Sequence, residues 1–113
     1  MAAEIYPPSL AGSVCYAHAQ TNRPILVTEH GATTADDGLR SWFIPAALGE
    51  LRQVIDDGVA IPVYMHWSLV DSFEWIFGYH NTFGLHSLNR QTCARTPKPS
   101  AAVYAAIARA IAA

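Results

Sequence analysis

Glu29 follows a short run of mostly branched apolar residues, Pro24-Ile25-Leu26-Val27-Thr28, and precedes His30-Gly31. A second apolar stretch, Val59 to about Trp67, ends in an indole, with Asp71, Glu74 and Trp75 close behind it. Carboxylates and indoles in one place suit carbohydrate chemistry. An indole face packs against the C–H side of a sugar ring, a carboxylate accepts hydrogen bonds from hydroxyls, and another can attack the anomeric carbon. Plainer roles exist for the same residues. A carboxylate at a strand end is also a common loop cap or ion-pair partner, and Trp42 and Trp75 can serve as core aromatics.

These groups are useful only if the chain brings them together. Both apolar runs read as strands buried in a parallel sheet. Ser9 after Pro7-Pro8 is placed to cap a helix over Leu10 to about Gln20, which ends at Asn22-Arg23-Pro24. Between the strands, Asp37 can cap a longer helix with the stripe Leu39, Phe43, Ala47, Leu51, Val54 and Ile55. Pro45 should kink that helix or mark its first turn, and Asp56-Asp57-Gly58 ends it, with Gly58 able to turn left-handed. A loop from Ser68 to Pro99 carries five of the twelve aromatic residues, and a loop this long inside a compact domain is usually functional. Ser100 then caps a last helix bearing Val103, Tyr104, Ile107 and Ile111. The order helix–strand–helix–strand–helix is a βα repeat, the unit of a doubly wound sheet or a (β/α)8 barrel. In both, reactive residues stand at the C-terminal ends of strands, so Glu29 and Trp67 are expected on one rim.

Composition sets limits. The 113 residues are 51% hydrophobic and 14% charged, too apolar for disorder and thinly covered for a small independent domain. That balance suits a piece of a larger core, a single partial domain over 1–113. A net charge of −2 with Lys98 the single lysine leaves no basic stripe for nucleic acid. No run approaches the ~20 apolar residues of a membrane span. The start, Met1-Ala2-Ala3-Glu4-Ile5-Tyr6-Pro7-Pro8, lacks the basic and apolar regions of a signal peptide, so a cytoplasmic chain is expected. Cys15 and Cys93 have no metal-ligand spacing and are expected as free thiols, with a disulfide unsupported. His18, His66, His80 and His86 show no ligand spacing either, so no metal or other cofactor is expected. His66, beside Trp67, is a candidate neighbour of the pocket.

The two strand ends also carry a resemblance. Ile25-Leu26-Val27-Thr28-Glu29-His30-Gly31 resembles the strand closing in Thr-Glu-Asn-Gly at barrel strand seven of glycoside hydrolase family 1. Trp67-Ser68-Leu69-Val70-Asp71-Ser72-Phe73-Glu74-Trp75, Gly78-Tyr79 and Thr82-Phe83-Gly84-Leu85 are similar to the family's strand-eight motifs. Arg95-Thr96-Pro97-Lys98-Pro99-Ser100 is similar to its closing Arg-x-Pro-Lys-x-Ser. The resemblance runs from Tyr6-Pro7 to Tyr104 in order and spacing. It implies an α/β fold, a partial (β/α)8 TIM barrel with two parallel strands, and a retaining β-glycosidase of the β-glucosidase type. It implies Glu29 as the catalytic nucleophile and Trp67 as a platform beneath the sugar. It further implies Glu74 as acceptor from the outer hydroxyls, Trp75 as an indole N–H donor, and Phe83 as a pocket wall. The implied partner is a β-glycoside or oligosaccharide. His30 and Ser72 stand where the family usually has Asn, Thr82 where it has Arg, and Val63 where it has Gly.

A retaining glycosidase needs a second carboxyl group, ~5–5.5 Å from the nucleophile. The family carries it in an Asn-Glu-Pro context on strand four, and no Asn-Glu-Pro occurs among these residues. A complete barrel takes roughly 250 residues, so this chain corresponds to about a quarter of one. Two expectations follow. One is a hydrolase of O-glycosyl bonds whose acid/base comes from elsewhere. The other is a catalytically inactive barrel remnant that covers its open sheet edges by self-association.

Overall fold

The computed structural model describes residues 4–112; the reading of the N-terminal start lies partly on 1–3, outside the described residues. Its elements run helix α1 (Pro8–Thr21), strand β1 (Leu26–His30), helix α2 (Asp37–Asp56), strand β2 (Val63–His66), a 3-10 turn (Trp75–Phe77), strands β3 (His86–Leu88) and β4 (Arg95–Pro97), and helix α3 (Pro99–Ala112).

β1 and β2 pair in parallel with α2 as the crossover, as the apolar runs predict. Helices cover one face of this two-stranded sheet. Ala11 and Val14 of α1, Val27 of β1, and Leu51 and Val54 of α2 form a buried cluster, extended by Ile25, Ile61 and Tyr64. The opposite face is open: Leu26 is 56% exposed and Met65 53%. The expectation of strands buried on both faces therefore fails, because the elements that would cover the second face are not among these residues. The molecule is a slab of 47 × 35 × 20 Å with a radius of gyration of 15.0 Å, against about 13 Å for a spherical domain of this length.

Several boundaries differ from expectation, each for a local reason. Helix α1 begins at Pro8, not after Ser9, with Pro7 in the capping position; proline fits the first helical position, where its missing N–H is not needed. Asn22, left-handed at φ 52°, closes α1 by donating its N–H to the His18 carbonyl at 2.7 Å. Asp36 rather than Asp37 caps α2, accepting from the N–H groups of Gly38 at 2.9 Å and Leu39 at 3.4 Å. Asp37 is thereby free for other partners. Pro45 lies inside α2 and does not open it. The buried stripe of α2 takes in Arg40 and Ile44, while Ile55 is exposed. Gly58 turns left-handed at φ 103°, as its position after α2 predicts. Ser100 is not the cap of α3: it lies buried in the first turn, and its hydroxyl donates to Asp37.

The segment after β2 is more ordered than a single long loop. His86–Leu88 and Arg95–Pro97 pair as an antiparallel hairpin, and Val70 bridges in parallel to His86. Cys15 and Cys93 are exposed free thiols. Among the described residues no helix is long and apolar enough to cross a membrane.

Candidate active site

The register of the parallel pair decides how Glu29 is presented. Val27 pairs with Tyr64 and His30 with His66, so Thr28 and Glu29 together stand opposite the single residue Met65. This is a bulge, one extra residue in β1. Strict alternation would place Glu29 on the same face as buried Val27. The extra residue leaves both Thr28 and Glu29 exposed and turns His30 inward, where its ring lies 5.2 Å from that of Phe43.

The two strand tips are fastened to each other. The Trp67 N–H donates to the His30 carbonyl at 2.8 Å. Gly31 packs so closely against the Trp67 backbone that a methyl group at this position would overlap the Trp67 carbonyl oxygen. The Trp67–Ser68 peptide is cis. Trp67 is 39% exposed on the rim that also carries Glu29.

Beyond Trp67 the chain is held by charged side chains. Lys98 reaches both carboxylate oxygens of Asp71 at 2.9 Å and the Gly84 carbonyl at 2.8 Å, and Asp71 accepts from the Gly84 N–H at 2.8 Å. Arg40 provides the second anchor. Its guanidinium, 1% exposed, donates to the carbonyls of Thr34 at 2.8 Å and Thr82 at 2.6 Å and pairs with Asp37. Asp37 in turn accepts from the Ser100 N–H at 2.8 Å and hydroxyl at 2.7 Å. Burial alone would raise the Asp37 carboxyl, but the Ser100 hydrogen bonds and Arg40 outweigh it and hold its pKa below the usual value. This buried network ties the loop after Glu29 to the segment bearing Phe83 and to the start of α3. Sequence reasoning missed Arg40 altogether. The only hint was its place within the apolar stripe of α2.

Glu74, Trp75 and Phe83 line one cleft of about 370 Å³, with His30, Phe43, Phe77 and Asn81 among its other walls. Glu74 accepts from the Ser72 hydroxyl at 3.0 Å and is half-buried. Trp75 is 85% exposed and Trp42 53%, so neither is a core aromatic. Glu29 and Trp67 do not line this cleft; they occupy the strand tips beside it, joined to it through His30 and Gly31. Behind those tips, the Tyr64 hydroxyl lies 2.9 Å from His30 Nδ1 and 3.3 Å from His66 Nδ1. Burial pushes His30 below its usual value, and burial, then His30 and Arg40, push His66 down to about 4. Among the described residues no group of histidine, cysteine and carboxylate side chains could hold a metal ion.

The sequence profile of glycosyl hydrolase family 1 matches residues 1–112. The chain belongs to this family. A β-galactosidase of Pyrococcus woesei is 35% identical over 84% of the chain and 18% of its own length. A β-glucosidase A of Acetivibrio thermocellus is 32% identical over 88% of the chain and 25% of its own length. Among solved structures, a β-glycosidase from Pyrococcus horikoshii superposes with a TM-score of 0.90 at 37% identity, covering 94% of this chain and 25% of that one. A β-glucosidase from Thermotoga maritima in complex with glucoimidazole gives 0.88 at 29%, covering 94% and 26%. The fold is thus a partial (β/α)8 barrel of the family 1 type, with β1 and β2 as its two parallel strands, and the chain spans about a quarter of the structures it matches.

Proposed function

We propose that this chain carries the nucleophile half of a retaining β-glycosidase site, with Glu29 as the nucleophile. The observation that carries this reading is the bulge in β1, which leaves Glu29 exposed beside Trp67 at the C-terminal rim of a family 1 barrel segment. The Glu29 carboxylate attacks the anomeric carbon as the bond to the aglycone oxygen breaks, and that oxygen takes a proton from an acid carboxyl group. Water, deprotonated by the same group, then displaces Glu29 and restores the original configuration. Trp67 lies under the ring, Glu74 accepts from its outer hydroxyls, Trp75 donates from its indole N–H, and Phe83 walls the pocket. The substrate class is a β-glucoside or β-galactoside, in line with the names of the relatives. The acid/base group comes from the remaining part of a barrel, because no Asn-Glu-Pro occurs in these residues.

Reconstitution tests the reading. Mixing the chain with the six-stranded N-terminal part of a family 1 barrel should hydrolyse phenyl β-glucoside with the first-formed sugar in the β configuration by proton NMR. Replacing Glu29 by Gln should abolish this. Hydrolysis that survives the replacement, or an α-configured first product, would refute it.

A second reading, a non-catalytic module that self-associates, draws on the open sheet face. Leu26 and Met65 are each more than half exposed, and both sheet edges are unpaired among the described residues. Light scattering separates the readings: a concentration-dependent oligomer supports self-association, and a monomer at high concentration counts against it.

A further inference from the structure

The pair of histidines behind the rim defines a proton arrangement. The Tyr64 hydroxyl has one proton and lies within hydrogen-bond distance of two Nδ1 atoms, His30 at 2.9 Å and His66 at 3.3 Å. It can donate to one and must accept from the other, so the two neutral rings hold opposite tautomers. The direction follows from His66 Nε2, which is buried and has no hydrogen-bond partner among the described residues. An N–H there would be a buried donor with no acceptor in reach, while the Arg40 charge disfavours a second, charging proton on the ring. A lone pair at Nε2 suits that site better. His66 therefore carries its proton on Nδ1 and donates it to Tyr64 Oη. Tyr64 donates to His30 Nδ1, and the remaining proton of His30 sits on Nε2. Burial keeps both rings neutral and the phenol protonated at neutral pH.

His30 lines the cleft that also holds Glu74, Trp75 and Phe83, and its ring is backed by Phe43. With Nδ1 occupied by Tyr64, Nε2 is the nitrogen left to meet a ligand. We propose that His30 is a specificity-determining donor of this cleft, its Nε2–H fixed by Tyr64 and His66 and directed at an acceptor oxygen of a bound β-glycoside. This rests on the reading of the cleft as a sugar wall. An asparagine, the residue the resemblance leads one to expect here, would offer both a donor and an acceptor. The locked imidazole offers a donor only, so the oxygen that it meets must accept.

The tautomers are read directly from nitrogen–proton correlation spectra of the imidazole rings of the 15N-labelled full chain at pH 7.5. The expected result is His66 protonated at Nδ1 and His30 at Nε2; the reverse pair would overturn the proposal whatever the cleft binds. Tyr64→Phe should release His30 into a mixture of tautomers, and a His30 that stays fixed at Nε2–H would also overturn it. Titration with phenyl β-glucoside should shift the His30 Nε2 proton together with the Trp75 indole signal, and His30→Phe should weaken binding about tenfold. If Trp75 responds and His30 does not, the donor role fails while the sugar wall stands. If neither responds, the sugar wall fails and the donor loses its ligand, while the wild-type tautomers still decide the relay.

Discussion

The backbone N–H of Trp67 donates to the carbonyl of His30 at 2.8 Å, and Gly31 lies against the Trp67 carbonyl with no room for a methyl group. The residue after Glu29 and the indole at the next strand tip are thus held together by backbone alone. Gly31→Ala must push these tips apart. Overpacking of this kind costs roughly 1–3 kcal/mol, and a urea titration should show the midpoint fall accordingly. An unchanged midpoint would mean that the tips are not set by this contact.

Asp37 is the hinge of the buried polar network, pairing with Arg40 and accepting twice from Ser100. Asp37→Ala leaves the Arg40 charge buried with only carbonyl partners. Breaking one side of a buried pair costs about 3–5 kcal/mol, and the Asp37 carboxylate is 17% exposed, so the lower figure is expected. Ser100→Ala removes one hydrogen bond to a charged acceptor and should cost about 1.5 kcal/mol. Equal losses from the two replacements would contradict the central place of Asp37.

The buried histidines predict a pH dependence with a definite sign. Above about pH 6.5 folded and unfolded chains both hold His66 neutral, and the full stability is present. As the pH falls from 6.5 toward 4, the unfolded chain takes up a proton that the folded chain refuses, and stability declines. His30, lowered as well, acts in the same direction. Asp37, held below its usual 3.8, adds a further loss only in stronger acid. Thermal unfolding at pH 7.5 and 5 should show the melting temperature several degrees lower at pH 5, and His66→Gln should flatten that difference. A melting temperature that rises on acidification would contradict the buried, neutral rings.

Trp75 at 85% exposure does little for the fold. Trp75→Ala should leave stability within roughly 0.5 kcal/mol of the parent. The same change should reduce the fluorescence response to phenyl β-glucoside, leaving the part that comes from Trp67. A large loss of stability would return Trp75 to a structural role.

Much of this architecture was legible from residue order. The apolar runs located both strands and Gly58 located the end of α2, because burial and left-handed turns impose strong local preferences. The bulge was not legible. It exists only in the pairing of Val27 and His30 with Tyr64 and His66, and no local pattern in β1 announces the extra residue. Arg40 was equally hidden, since its acceptors are backbone carbonyls at Thr34 and Thr82, the latter far along the chain. The hairpin of β3 and β4 escaped notice because its strands are three residues each and β4 is wholly exposed, without the alternation that marks a half-buried strand. The motif residues divided as well. Glu74, Trp75 and Phe83 share a cleft, whereas Glu29 and Trp67 stand at the neighbouring strand tips.

Whether Glu29 is a glycosidase nucleophile is tested most directly by trapping. An activated 2-deoxy-2-fluoro-β-glucoside carries a leaving group good enough to depart without the acid carboxyl group, so the nucleophile half-site is sufficient for the first step. Incubation with the full chain, followed by digestion and mass spectrometry, should place one fluoroglucosyl adduct on the peptide containing Glu29, and Glu29→Gln should remove it. A folded chain that acquires no adduct, or acquires it on another residue, would contradict the assignment.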